Sequence, residues 1–246
     1  MRITPIATAL GLALTAALGG CATGTDESTW HLGAFSGDLT IEVTSAELDI
    51  REAEPGEAED AITVTRHATS GREVEADPTL DDGTLDLTAD CGFSLFGDCT
   101  IRYEVTIPAA TPVTVNGDSG SVTASALSVA TTISTDNGAI SIENAAGPLD
   151  LRTDNGAITI ADVSSGSVEA VSSNGAIDLG FSTAPDQVRV TTENGTVTVT
   201  VPSAEYQVTT TTDSGDVDNG LAESEASPHR IDVTTENGAV RLRTAD

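Results

Sequence analysis

The 246-residue chain has no lysine, one methionine, one tryptophan and three cysteines, and aromatic residues make up only 3% of it. Each shortage closes off a class of protein. All ten basic residues are arginines, set against 39 acidic residues, and the net charge is −29. Nucleic acid demands a basic face for its phosphates, so it is not an expected partner. Adsorption of the folded part onto anionic lipid is disfavoured for the same reason. With few aromatics, Val, Ile, Leu, Ala and Thr must fill any core, and these are strand-forming residues. Beyond residue 30 no useful stretch shows the 3.6-residue periodicity of an amphipathic helix.

What is present begins at the N-terminus. Met1-Arg2 is a short positive start, and Ile3 to Leu18 is uncharged and almost wholly apolar or small. This is the pattern of a secretory leader. It ends in Leu18-Gly19-Gly20-Cys21, which resembles the lipobox of bacterial lipoproteins. The resemblance implies cleavage before Cys21, a diacylglycerol on its thiol and palmitate-type acylation. The chain would then be held to the cell membrane, through lipid, on its extracytoplasmic face. The alternative is an uncleaved transmembrane anchor. A span needs about 20 apolar residues, and Thr4, Pro5 and Thr8 interrupt this stretch.

Two further cysteines, Cys91 and Cys99, close a short segment. In an exported protein a local disulfide is the simple reading, worth about 2–3 kcal/mol for so short a loop. A metal pair and a redox pair are the alternatives. However, His31, His67 and His229 share no ligand spacing with the cysteines, and redox pairs usually take the form Cys-x-x-Cys.

The strongest signal is an internal repeat. Seven copies align on Gly120, Gly138, Gly156, Gly175, Gly195, Gly215 and Gly238, at spacings of 18, 18, 19, 20, 20 and 23 residues. Thr-Asp-Asn-Gly138-Ala-Ile-Ser-Ile and Thr-Glu-Asn-Gly238-Ala-Val-Arg-Leu are representative. Weaker upstream copies are expected around Gly37 and Gly83. Two residues after the glycine stands Val122, Ile140, Ile158, Ile177, Val197, Val217 or Val240. Alternation on both flanks predicts two strands, each with one buried face. The glycine, preceded by Asn or Ser, is expected to supply a turn at φ > 0. Thr or Ser lies three residues before it in six of the seven copies, placed to satisfy turn backbone.

Two all-β architectures fit. One is a right-handed parallel β-helix-like solenoid of 18–20-residue coils with an irregular β cap at its N-terminus. The other is an antiparallel meander or sandwich, because Asn-Gly between alternating strands is also a hairpin signal. The solenoid explains why one turn recurs with the same chemistry in every period, since equivalent residues stack. The expected organisation is a leader over residues 1–20, a tether over 21–30, a β cap over 31–110 and regular repeats over 111–246. The cap and the repeats, residues 31–246, are expected to form one continuous domain. The terminal segment Val240-Arg-Leu-Arg243 would form an open strand edge blunted by its two arginines.

The Gly-x-Ile-x-Ile coils, the upstream strand Ile101-x-x-x-Val105-x-Ile107-Pro108 and the following Ser119-Gly120-Ser-Val122 resemble the DUF4097 family of candidate adhesins. The likeness covers about residues 37–244. It implies a β-solenoid associated with the cell envelope, in some members LiaG-like and linked to envelope stress. It carries no catalytic residue across. One column suggested chemistry: Asp118, Asp136, Asp154, Glu193, Asp213 and Glu236, each two residues before a repeat glycine. Stacked about 4.8 Å apart, such acids could take structural calcium, although a solvated acidic edge is the simpler reading. A β-helix polysaccharide lyase or hydrolase is the enzymatic alternative. Its carboxylates should cluster once, beside a basic or aromatic groove; here they recur in every period. The expectation is therefore a non-enzymatic surface module without cofactor. It would bind an envelope polysaccharide or a surface protein, or serve as an accessory in envelope stress.

Overall fold

The computed structural model describes residues 25–57, 60–69, 77–88 and 99–245. The leader, Cys21 and Cys91 lie outside the described residues. Among those described, the chain forms strands and no helix. The N-terminal part comprises β1 (Thr25–Ala34), β2 (Leu39–Thr44), β3 (Glu47–Glu52), β4 (Ala61–Thr69), β5 (Thr79–Asp81), β6 (Thr84–Thr88) and β7 (Thr100–Ile107). β1 thus reaches back into the stretch read as a tether. Pro108–Pro112 links β7 to the repeats.

Each repeat contributes one strand before its glycine and one after it. These are β8 (Val113–Ser119) and β9 (Val122–Ser125), β10 (Thr131–Asn137) and β11 (Ile140–Glu143), and β12 (Leu149–Thr153) and β13 (Ile158–Val163). Then follow β14 (Ser167–Asn174) and β15 (Ile177–Phe181), and β16 (Gln187–Asn194) and β17 (Val197–Val201). The last are β18 (Glu205–Ser214) and β19 (Val217–Asn219), then, after a short β20 (Ala222–Glu223), β21 (Arg230–Asn237) and β22 (Val240–Thr244).

Strands before the glycines stack into one sheet and strands after them into a second, each of eleven strands in all. Pairing within the repeats is parallel and in register: Ile133 faces Leu151, and Ile140 faces both Val122 and Ile158. This register decides for the solenoid. A meander would pair the two strands of one repeat antiparallel, whereas here each pairs with its equivalent in the next coil. Among the described residues, antiparallel pairing occurs only near the N-terminus, between β1 and β4, β4 and β7, and β5 and β6. The inward columns from the two sheets (Ile133, Leu151, Ala170 and Val190 against Ile140, Ile158, Ile177 and Val197) are fully buried. Each such aliphatic side chain contributes about 1.5–3 kcal/mol on burial.

The repeat glycines have a different cause from the one their turn context suggests. Of the seven, only Gly120 (φ +129°) and Gly215 (φ +152°) lie in the left-handed region. What the others share is contact. A Cβ on Gly138 would sit 2.0 Å from the Gly120 carbonyl oxygen, and one on Gly156 2.0 Å from that of Gly138. The series continues through Gly175, Gly195 and Gly238 to Gly215. Stacking of coils at this corner leaves no room for a side chain, so close approach, more than turn conformation, demands glycine. The hydroxyl column answers to the same stacking. Thr153 Oγ1 and Ser172 Oγ donate at 3.0 Å to the carbonyls of Gly138 and Gly156, each in the neighbouring coil. Thr192, Thr212 and Thr235 repeat the bond at 3.3–3.5 Å. Thr135 is the exception: its buried Oγ1 has no partner.

Coil order departs from chain order at both ends. β22 lies between β17 and β19, and β21 lies between β16 and β18, so the last coil is inserted beneath the sixth. The expected edge strand Val240–Arg243 is therefore interior. The physical reason is legible in the columns. The last coil is apolar at its inward positions Ile231, Val233, Val240 and Leu242, all essentially buried. The sixth has Thr210 and Asn219 at the corresponding places, which suits an outermost coil. The 23-residue spacing before Gly238 supplies the chain that passes back. At the other end, β2 and β3 stack directly on β8 and β9, with β6 and β7 outside them. This changes the reading of the upstream copies. The strands after Gly37 and Gly83 belong to the sheet of the pre-glycine strands. The glycine corner of the β2–β3 coil is occupied by Ala46, whose carbonyl oxygen lies 2.0 Å from where a Gly120 Cβ would be. Gly83, with Asp82, instead forms the two-residue β5–β6 hairpin, both at positive φ.

Candidate binding surface

The glycine corner carries two exposed columns. In five of the seven repeats the residue before the glycine is an asparagine, and these build a ladder. Asn155 Nδ2 donates to Asn137 Oδ1 at 3.1 Å, Asn174 to Asn155 and Asn194 to Asn174 at the same distance, and Asn237 to Asn194 at 3.2 Å. The ladder follows the spatial coil order, passing from Asn194 straight to Asn237. Each amide uses one donor and one acceptor along the axis, which pins the register of successive coils.

Beside it runs the acidic column Asp118, Asp136, Asp154, Glu193, Asp213 and Glu236, all exposed. Among the described residues no three His, Cys, Asp or Glu side chains converge as a metal site. Stacking sets these carboxylates along an open corner, one in each repeat coil but the Gly175 coil, where Ser173 stands, and does not gather them around a point.

The outer faces of the sheets are largely polar. On the post-glycine sheet, cross-strand neighbours put Thr123, Ser141, Thr159, Asp178, Thr198 and Arg241 in one row. Strands about 4.8 Å apart make such a row roughly 25 Å long. On both sheets, ion pairs join neighbouring strands. Arg152 bonds Glu169 of the next strand at 3.1 Å, besides Asp150 of its own strand at 3.2 Å, and Arg102 bonds Glu47 of the next strand at 2.8 Å. Exposed pairs of this kind are worth at most about 1 kcal/mol each. Their effect is to neutralise acids locally on an otherwise strongly negative surface. At the β3 end, Arg51 holds Glu57 by two bonds at 2.8 and 3.0 Å. That hydrogen bond, with one from the Glu54 backbone N–H, lowers the Glu57 carboxyl to about 2.

The histidines do not gather. His31 Nδ1 bonds Thr63, His67 lies between Glu27 and Glu104, and His229 Nδ1 bonds the Pro185 carbonyl at 2.8 Å. Cys99 is half-buried against the core at the start of β7. Its expected partner, Cys91, is outside the described residues. One functional-looking group escaped the sequence reading: Arg66, 4% exposed, bonds Asp26 at 2.7 Å and lies 5.3 Å over the Trp30 ring. The signal was present, because Arg66 continues the inward alternation Ile62, Val64 along β4. It ties β1 to β4 at the N-terminal end. No helix among the described residues is long and apolar enough to cross a membrane.

These features define a parallel β-solenoid with polar outer faces and a ladder-bearing corner. Residues 96–245 match the Toastrack DUF4097 family model, so the chain belongs to that family. Among solved structures, an adhesin candidate from Bacteroides fragilis aligns at TM-score 0.50 and 12% identity, over 92% of this chain and all of that one. An adhesin candidate from Parabacteroides merdae aligns at TM-score 0.45 and 9% identity, over 89% of this chain and 96% of that one. A cell-adhesion candidate from Clostridium sporogenes aligns at 0.41 and 13%, over 90% of this chain and all of that one. At these identities the first likeness speaks for the fold alone, and the other two carry no argument. No curated protein matches the chain.

Proposed function

We propose that the chain is a non-catalytic, lipid-anchored binding module of the cell envelope. Cys21 tethers it to the extracytoplasmic face of the membrane, and its solenoid faces bind an envelope polysaccharide or a surface protein. The observation that supports this reading best is the row of outward polar side chains along the post-glycine sheet, Thr123, Ser141, Thr159, Asp178 and Thr198, beside a corner on which the acidic groups are spread in a line. Extended polymers suit such a surface because each coil presents a polar side chain at the same place. A disulfide between Cys91 and Cys99 would close the segment leading into β7.

The test has two arms. The full chain, embedded in vesicles, is incubated with cell-wall polysaccharide fractions, and both retention and chain length are followed. Retention without shortening is expected; shortening would make the protein a lyase or hydrolase. Retention of neither polymer nor surface protein would favour the accessory role in envelope stress. Separately, Cys21→Ala should release the protein from membranes, and persistent membrane association would remove the lipid anchor.

A further inference from the structure

The end of the solenoid formed by the sixth coil is open. β20 pairs with β18 only at Glu205 and Tyr206, and Ser224 N–H caps the Tyr206 carbonyl at 2.9 Å. Beyond that point, Gln207 to Ser214 of β18 have no outer strand neighbour among the described residues. Backbone groups alternate sides along a strand. Gln207 N–H bonds inward to the His229 carbonyl, while the Tyr206 carbonyl faces outward. The N–H and C=O of Val208, Thr210 and Thr212 therefore project from the free edge. At the same end Val217, an inward position buried in every regular coil, is 44% exposed and is the one large exposed apolar residue among those described.

The usual protections of an edge are missing here. Tyr206 to Thr212 holds no charge, no proline and no bulge, although the chain carries −29 overall. We infer that this edge pairs antiparallel with the same edge of a second copy, about a two-fold axis through Thr211. Three facts point to that occupant. Side chains that face each other across an antiparallel pair must lie on the same side of the sheet, so the axis must pass through a residue and not between two. Centring on Thr211 sets Thr210 against Thr212, whose outward groups then exchange hydrogen bonds, and stops short of β20. The same register sets Asp213 against Thr209 and Ser214 against Val208, so no acid opposes an acid. The pairing extends the pre-glycine sheet across the junction and sets the end that carries Val217 against the same end of the copy.

Because the contact is neutral and its surroundings are acidic, salt should strengthen it by screening repulsion between copies. A cationic partner on the same edge would show the opposite dependence. Thr211 faces its own copy in a non-hydrogen-bonded pair, with Cα atoms about 4.5 Å apart, within disulfide reach. The experiment uses the full chain in membranes or detergent. Thr211→Cys should form a disulfide-linked dimer at least tenfold faster than Thr159→Cys, an equally exposed position in a central strand, and faster in 0.5 M than in 0.05 M NaCl. Adding Thr210→Pro, which removes an outward N–H, should abolish the difference while the melting temperature is retained. Equal rates for the two cysteine variants, a proline-insensitive rate, or cross-linking to a different protein would each overturn the inference.

Discussion

Alanine at Gly156 is expected to destabilise the protein by about 3–5 kcal/mol. The added Cβ would stand 2.0 Å from the Gly138 carbonyl oxygen, backbone that cannot rotate away. Relief requires the two coils to part by more than an ångström at this corner. Overpacking of one carbon costs about 1–3 kcal/mol. Parting the coils also breaks the bond from Thr153 Oγ1 to the Gly138 carbonyl and those from Asn155 to Asp136 and Asn137. Each is worth about 1 kcal/mol, and Thr153 is buried, so its loss is the more costly. In a chain of this size the total lowers the melting temperature by about 10 °C, at roughly 2–4 °C per kcal/mol. The comparison is Gly166→Ala, whose Cβ would meet only the carboxylate end of Asp186, at 3.3 Å. That variant should be neutral, or more stable by up to about 1 kcal/mol through the unfolded state. Urea unfolding followed by circular dichroism measures both. Asparagine at position 156 separates the two explanations of the glycine: it tolerates left-handed φ but brings the same Cβ. If asparagine restored most of the loss, or if Gly156→Ala matched Gly166→Ala within about 0.5 kcal/mol, the steric account would be refuted.

Other perturbations read single features. Thr153→Val should cost about 1–2 kcal/mol by leaving the Gly138 carbonyl unpaired, whereas Thr135→Val should be neutral or stabilising, because its buried hydroxyl already lacks a partner. Parallel denaturant titrations decide, and equal losses would contradict the hydroxyl ladder. Glu57 has its carboxyl lowered from 4.5 to about 2. A depressed carboxyl stabilises fully above the higher value and loses its effect as pH falls through the lower. Glu57→Gln should therefore flatten stability against pH between about 5 and 2 and leave its slope near neutrality unchanged; an unaltered acid limb would dismiss the Arg51–Glu57 contribution. Calcium should raise the melting temperature no more than sodium chloride of equal ionic strength, since the acidic column forms no converging group among the described residues. A calcium-specific rise would restore specific sites to Asp118 and its column.

Much of this protein is determined by the sequence alone. The 18–20-residue period, the apolar columns and the scarcity of aromatics specify an all-β repeat whose units must stack to bury anything. The inward residues from Ile133 to Leu242 could be named in advance, because strand alternation makes burial a local property. Tertiary structure decided what depends on neighbours in space. Parallel against antiparallel pairing was undecidable while Asn-Gly could mean either a hairpin or a coil corner; in-register stacking settled it. The glycines recur because of a carbonyl one coil away, which no local turn rule contains. Coil order was the deepest of these effects. Thr210, Asn219 and the 23-residue spacing stood in the sequence as blemishes. Only the sheets show them to mark the outermost coil, where one side of an inward residue meets solvent and a polar side chain costs least.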